Sequence, residues 1–432
     1  MIVNFRLEKI LILLLSLFPI SFVFSSGLAQ IIIALVSLVM LYIVLYRNYF
    51  FFFKNIYFVY FLTFCLYLIA RSLFSEDIIF SLNNSIFYFR YGIFSIAIYY
   101  ILSYYPKKIL KYFFYFFFFT YFLLLFDAYF QSIFGFNLIN MQLPQAYRVS
   151  SFFGKEMILG SYLTRTFPLI IAVIYFIYKE NKYIDIYISS LILINIIMVF
   201  LTGERSAFFL SCLFSFLFLL FTDIISIKRK FLLLFCFLFI FSITILTNER
   251  INHRYIIQTK NAFTKTLDEN QVSTKNTYYL FTFDTEAHYR SAFAMFKENI
   301  LFGQGPKMFR KLCNKDNFNY NEWSCTTHPH NQYLELLAET GIVGFAFVFF
   351  LFLKICSYFI KRFINFFKKN KNQTSVDNIE LIFMCFGFAT LWPFIPTGRF
   401  LGSTSSVLNF FPIGFYLFYK YPIKQLIQNV RK

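Results

Sequence analysis

Residues 231–247 read FLLLFCFLFIFSITILT, an apolar run without a single charge. At 1.5 Å per residue such a helix is roughly 26 Å long, close to the ~30 Å hydrocarbon core of a bilayer. Lys228, Arg229 and Lys230 stand immediately before it, and the chain turns polar at Asn248, Glu249 and Arg250 after it. The run therefore reads as a transmembrane helix with its basic end in the cytoplasm.

Working outward, the same kind of segment recurs at 8–25, 28–46, 53–70, 86–104, 112–133, 158–178, 184–201, 206–224, 336–358, 379–396 and 404–420, which makes twelve. Arg6 and Lys9 before the first run, with Gly27-Leu28-Ala29 after it, have the outline of a signal peptide. A second long apolar run follows at once, so the first is read as an uncleaved span. Basic residues gather in every second connection: Arg47 and Lys54; Lys107, Lys108 and Lys111; Lys179 and Lys182; Lys228 to Lys230; Lys361, Arg362, Lys368, Lys369 and Lys371. The C-terminal tail adds Lys420, Lys424, Arg431 and Lys432. The other short connections are nearly charge-balanced. That alternation predicts both termini in the cytoplasm.

Composition agrees. Of 432 residues, 59% are hydrophobic and 14% charged, against roughly 45–50% and 25% in soluble domains. This excludes a soluble enzyme and a disordered chain. Seven Cys are too few for a disulfide scaffold of this length. The net charge of +19 is mostly accounted for by the basic connections, so no nucleic-acid partner is needed. The 69 Phe and 32 Tyr accompany abundant Ile, Asn and Lys. That set of residues follows AT-rich codons, so the aromatic excess is not read as stacking platforms.

One connection differs. Residues 248–333 carry eleven Lys/Arg, eight Asp/Glu and all four His: His253, His288, His328 and His330. Long structureless loops are rare and usually functional, so this segment is expected to fold outside the membrane, with a helix over 285–300 ended by Gly303, Gly305 and Pro306. Domain limits follow as 1–247 (spans one to nine), 248–333 (loop domain) and 334–432 (spans ten to twelve). Overall, the fold class is an all-α polytopic membrane protein, with about twelve transmembrane helices and one large, partly helical extracytoplasmic loop.

Within that loop, Thr327-His328-Pro329-His330-Asn331-Gln332-Tyr333 leads into span ten. Pro329 is suited to the first turn of a helix. His330, Leu334, Leu337, Gly341 and Gly344 would then share one face, with His330 at a helix N-terminus, a natural anion site. Gly341 and Gly344 would admit a second helix. The plainer alternative is a helix cap with incidental His. Arg148, Arg205, Arg290 and Arg399 lie on the same, otherwise charge-poor side. Arginine forks suit phosphate, and several at one membrane face would suit a lipid pyrophosphate. Arg205 has a plainer reading as an ion pair with Glu204, and Lys155 with Glu156 has the same. No metal-ligand spacing is recognisable, and Glu335 with Glu339 reads as an ordinary solvated pair. Cys313 and Cys325 lie where disulfides persist, and a bond between them is predicted.

Assembled, these residues resemble the O-antigen ligase/polymerase family of bacterial envelope glycosyltransferases. His330-Asn331, followed after nine residues by Gly341 and then Gly344, resembles the ligase signature at the end of the long periplasmic loop. Gly203-Glu204-Arg205-Ser206 and Arg290 resemble the family's arginine segments. Arg148, before Ser150-Ser151-Phe152-Phe153-Gly154, resembles another, but Lys155-Glu156 stands where many members have an Asn-Pro-Asn turn.

The resemblance implies a cell inner membrane enzyme with its active site facing the periplasm. It would take a glycan from undecaprenyl pyrophosphate to a lipid A-core or other glycan hydroxyl in lipopolysaccharide biosynthesis, without metal or cofactor and with inversion. His330 would be the base. Arg205 and Arg290 would hold the pyrophosphate, with Arg148, Lys155, Glu156, His328 and Asn331 at the substrate. Partners would be the lipid-linked donor, the acceptor and possible polysaccharide assembly proteins. The alternatives are an O-antigen polymerase using the same donor, a protein O-glycosyltransferase, or a non-enzymatic polysaccharide exporter.

Overall fold

The computed structural model describes residues 2–105, 107–144, 148–263, 281–367 and 377–422. Lys368, Lys369, Lys371, Lys424, Arg431 and Lys432 and the loop interior 264–280 lie outside the described residues. In chain order the helices are α1 (Ile2–Phe24), α2 (Ser26–Arg47), α3 (Ile56–Ser72), α4 (Ile78–Ser85), α5 (Arg90–Tyr104), α6 (Lys107–Phe134), α7 (Leu159–Tyr178), α8 (Ile184–Leu201), α9 (Arg205–Phe221) and α10 (Ile227–Thr247). The loop adds α11 (Glu249–Asn252), α12 (Gln258–Phe263), α13 (Phe283–Glu298) and α14 (Phe309–Leu312). The chain then closes with α15 (Gln332–Phe367), α16 (Asn378–Thr390) and α17 (Ser403–Lys420). The protein is an all-helical polytopic membrane protein.

Each of the twelve expected spans coincides with a helix. Eight helical segments among the described residues are long and apolar enough to cross a bilayer. The other expected spans fall on α3, α9 and α16, which are apolar but shorter, and on α17, where Ser403, Ser405, Ser406 and Asn409 dilute the apolar run. The expected span 379–396 is trimmed at Thr390, because Pro393 and Pro396 follow and proline cannot continue a helix. The expected span 86–104 starts at Arg90, behind the separate helix α4.

Helix ends pair in alternation, as spans that go up and down must. Arg47 at the end of α2 meets Glu8 of α1 at 2.7 Å, and Tyr100 of α5 donates to the same carboxylate. Lys420 at the end of α17 meets Glu380 at the start of α16 at 2.6 Å, and Lys354 donates to Tyr57 at the start of α3. Arg47, Lys354 and Lys420 thus lie at one end of the bundle, opposite His330. Close packing joins α5 to α17: a Cβ on Gly414 would lie 2.6 Å from the Ser95 carbonyl.

The loop domain packs on the first turns of α15. Ala292 and Met295 of α13, Met308, Phe309 and Leu312 around α14, and Ala338 of α15 form its own small core. Cys313 and Cys325 are bonded, with Cα atoms 5.1 Å apart. Gly341 is where the loop is stitched to the bundle. It sits at φ 62°, ψ −170° and breaks α15. The turn 300–305 inserts into the break: Ile342 N–H donates to Ile300 at 2.9 Å, and Gln304 and Gly305 donate to Ala338 and Glu339, each at 2.8 Å. Arg71 of α3, buried, donates to the carbonyls of Phe302 and Gly303.

These contacts correct two expectations. Gly341 does not line a face for another helix; its backbone turns the chain, and a Cβ there would meet the Leu301 carbonyl oxygen at 2.3 Å. Gly344 does admit a neighbour, the Tyr67 ring of α3. Glu335 and Glu339 are not solvated but 1% exposed each, because the loop domain and the 391–402 connection cover them.

Candidate functional site

The helix at the end of the loop begins later than Pro329. Asn331 caps it: its Oδ1 accepts from the N–H of Tyr333 at 3.0 Å and of Leu334 at 3.1 Å. This is the usual way a side-chain oxygen satisfies free N–H groups at a helix start. Its Nδ2 donates to the Pro393 carbonyl at 2.7 Å. His330 therefore precedes the helix, and it does not share a helical face with Leu334. It adopts φ 57°, a left-handed conformation that is uncommon for a side-chain-bearing residue and clusters at functional sites. The N–H of Thr397 donates to its carbonyl at 2.7 Å and helps to hold it there.

Three imidazoles converge. The ring of His330 lies 4.2 Å from that of His328 and 5.4 Å from that of His288, centroid to centroid. Burial lowers the pKa of His330 below its ordinary 6.5. Burial and then His330 lower His288 to about 4, and burial, His330 and Arg399 lower His328 to about 3. All three rings are thus neutral near pH 7, the form that can accept a proton. Among the described residues, no group of three or more His, Cys, Asp or Glu is placed to hold a metal ion.

Two basic clusters are also present, and the second of them acts on His328 through Arg399 and Arg310. In the first, Arg205 donates to Thr259 Oγ1 at 2.8 Å rather than pairing with Glu204. Glu204 instead takes the N–H groups of Gly160 and Ser161 at 2.7 and 3.0 Å, at the start of α7. Arg254 donates to the Gly203 carbonyl at 2.9 Å. Burial, then the charges of Arg148 and Arg205, lower its pKa to about 10. Burial and then the charge of Arg148 lower Arg205 as well, so the cluster is short of negative charge. Arg148 adds a buried Nε without a partner. Its segment is anchored from α6, where Gln131 Oε1 accepts from Ser150 N–H at 3.0 Å and Ser151 N–H at 2.7 Å, and Asp127 takes the Ser151 hydroxyl.

The second cluster is Lys307, Arg310 and Arg399. Burial and then Arg399 lower the first two. Arg399 Nε meets Glu335 at 3.1 Å, while its Nη2 is buried without a partner. Glu339 takes the N–H of Lys307 at 2.6 Å and of Phe309 at 3.3 Å, fixing the loop.

Three other expected residues, Arg290, Lys155 and Glu156, are exposed. Arg290 follows His288 by two positions on α13, which puts the two on nearly opposite faces of the helix. It pairs with Glu286 at 2.7 Å and lies over the Tyr320 ring. Lys155 and Glu156 are exposed and form no ion pair with each other.

Sequence reasoning passed over Arg254, Arg310 and Arg165. The first two looked like ordinary loop charges. Arg165 sits inside the apolar run of α7, and a charge in such a run is itself a signal. An apolar groove of about 640 Å³ lies between α3, α15, α16 and α17. It reaches from Phe400, beside Arg399, to Lys354 and Lys420 at the opposite end of the bundle.

Residues 189–349 match the family model described as O-antigen ligase. The matched stretch runs from α8 to the middle of α15, and so contains Arg205, Arg254, His288, His328 and His330. No curated protein matches the chain.

Proposed function

We propose, from the O-antigen ligase/polymerase family assignment that residues 189–349 support, that this chain is a ligase-type glycosyltransferase. It moves a glycan from undecaprenyl pyrophosphate to a hydroxyl of a lipid A-core sugar, on the periplasmic face of the bacterial inner membrane. The observation that carries this reading is the half-buried, neutral His330 between His288 and His328, beside Arg310 and Arg399, each of which has a buried guanidinium nitrogen without a partner.

The acceptor hydroxyl gives its proton to the His330 imidazole, and its oxygen attacks the anomeric carbon. The bond from that carbon to the pyrophosphate oxygen breaks, and its electron pair leaves with the pyrophosphate. Single displacement inverts the configuration. Charge develops on the leaving oxygens, so fixed cations aimed at them lower the barrier. Arg205, Arg148 and Arg254 fill that role. Asn331 and His328 position His330, the first by capping α15 and the second by ring contact. Arg290, with its Glu286 and Tyr320 partners, together with exposed Lys155 and Glu156, contacts sugar rather than pyrophosphate. The apolar groove suits the polyprenyl tail.

Deletion of the gene, read by gel and glycan blot, tests the reading. Long polymer accumulating on the lipid carrier with bare lipid A-core is the expected result. Core bearing a single repeat unit would instead identify a polymerase. An unchanged pattern would overturn both.

A further inference from the structure

A cavity of about 50 Å³ opens where α7, α9 and α16 meet the 396–398 turn. Its volume is several times the roughly 10–15 Å³ that one water needs. Its polar lining is Ser161, Thr164, Arg165, Ser206, Thr390 and Thr397. Arg165 lies six residues into α7, roughly 9 Å along the helix from its start. Its guanidinium makes no hydrogen bond or ion pair among the described residues. The nearby carboxylate, Glu204, is occupied by Gly160 N–H, Ser161 N–H and the Ser161 hydroxyl. Thr397 is 8% exposed, and its hydroxyl is buried without a partner. A planar cation and an unused hydroxyl, both facing one small cavity in an apolar bundle, call for a compact oxyanion.

We propose that this cavity is an oxyanion pocket that receives a phosphoryl group of the donor's pyrophosphate, with Arg165 as its cation and the Thr397 hydroxyl as a second donor. The assignment to the donor rests on the transferase reading above. Two features of the site support it. Ser206 adjoins Arg205, so the pocket continues the first basic cluster inward. The pocket also shares Phe386 and Thr390 with the apolar groove, so a lipid lying in the groove brings its head group to the pocket's edge. Thr397 then has two duties. Its N–H holds the His330 carbonyl, and its hydroxyl senses the phosphoryl oxygen, so filling the pocket firms the placement of the base.

The test titrates two probes into the full chain in phosphatidylcholine nanodiscs: inorganic pyrophosphate, and undecaprenyl pyrophosphate supplied in vesicles. Arg165→Gln removes the charge, Arg165→Lys keeps it without the fork, and Thr397→Val removes the hydroxyl but keeps the N–H. Lys179→Gln, exposed just beyond the end of α7 and outside both the pocket and the groove, is the control. Wild type should bind both probes. Losing charged hydrogen bonds in Arg165→Gln should weaken both by roughly 10- to 100-fold. Thr397→Val should weaken both less, Arg165→Lys should recover part of the loss, and the control should match wild type. A monodisperse size-exclusion profile establishes that each variant folds, and Thr397→Val carries the test should Arg165→Gln aggregate.

Unchanged binding in Arg165→Gln overturns the pocket, and the transferase reading survives if that variant still transfers glycan. Weakened binding of inorganic pyrophosphate alone overturns the donor assignment in favour of free phosphate. Weakened binding of both probes in a chain that transfers no glycan upholds the pocket and overturns the transferase reading. A wild type that binds neither probe overturns both.

Discussion

The imidazoles of His288 and His330 face each other with centroids 5.4 Å apart, one on α13 and one just ahead of α15. The contact exists because α13 packs on α15 through Ala292, Met295 and Ala338. The left-handed backbone at His330 then aims its ring at α13 rather than along α15. The pairing holds the proposed base His330 by a tertiary contact, and its removal is the first thing to measure.

His330→Gln keeps a polar side chain but removes the proton acceptor. Loss of a positioned base typically costs about 10²- to 10⁴-fold in rate. A purified-component transfer assay should show kcat reduced by that range with expression and melting temperature unchanged. Near wild-type kcat would remove His330 from the chemistry.

Because burial holds His330 below its ordinary 6.5, it protonates at a lower pH than a free imidazole. The midpoint of the acid limb of the transfer rate should therefore lie below 6.5. Stability follows the same sign. His288 and His328 are lowered in the fold to about 4 and about 3, so below ~6.5 the unfolded chain binds protons that the folded chain refuses. The melting temperature should drop between pH 6.5 and 4, and a His288→Asn, His328→Asn double variant should flatten that drop. A rate whose acid limb lies at or above 6.5 contradicts the burial.

Arg205 and Arg290 should separate kinetically. Arg205→Ala removes a cation proposed to stabilise the leaving group, so kcat should fall by roughly 10²-fold or more. Arg290→Ala should raise KM with a smaller effect on kcat, the pattern of lost ground-state contact. Equal loss of kcat in both variants would place Arg290 at the pyrophosphate after all.

Gly341→Ala puts a Cβ 2.3 Å from the Leu301 carbonyl oxygen in a backbone of φ 62°. The strain alone is worth about 1–3 kcal/mol, and the clash adds to it. Thermal unfolding should shift down by several degrees, with new protease cleavage in 299–306. Gly344→Ala, against the Tyr67 ring, should perturb the bundle but not that segment. Wild-type stability in Gly341→Ala would mean that α15 is continuous.

Glu339→Gln keeps the size of the side chain but removes the charge that accepts from Lys307 and Phe309. Charge-assisted hydrogen bonds are worth about 1.5–3 kcal/mol each, so the loop domain should loosen. Hydrogen exchange at Lys307 and Phe309 should quicken by about tenfold or more, while amides in α5 and α17 stay protected. No change at those two amides would show that Glu339 is not what fixes the loop.

The helical membrane fold was legible in residues such as 231–247 because spanning a bilayer is a local demand. Each run must carry its own apolar surface and satisfy its own backbone, and both requirements are written within some twenty consecutive residues. A helix start close to Pro329 was legible for the same reason, since it lies in a short motif, but the left-handed turn that puts His330 ahead of the helix was not. Other features depend on what packs over a residue. Glu335 and Glu339 have the spacing of a solvated pair, and only the loop and the 391–402 connection above them make them buried acceptors. Gly341 has the spacing of a helix-contact glycine, and only the insertion of 300–305 makes it a break. Arg290 sits two positions from His288, and the helix turns it away. Arg165 stands among apolar neighbours, and three other segments build the cavity around it. Burial and convergence are sums over distant parts of the chain, and no local stretch of sequence contains them.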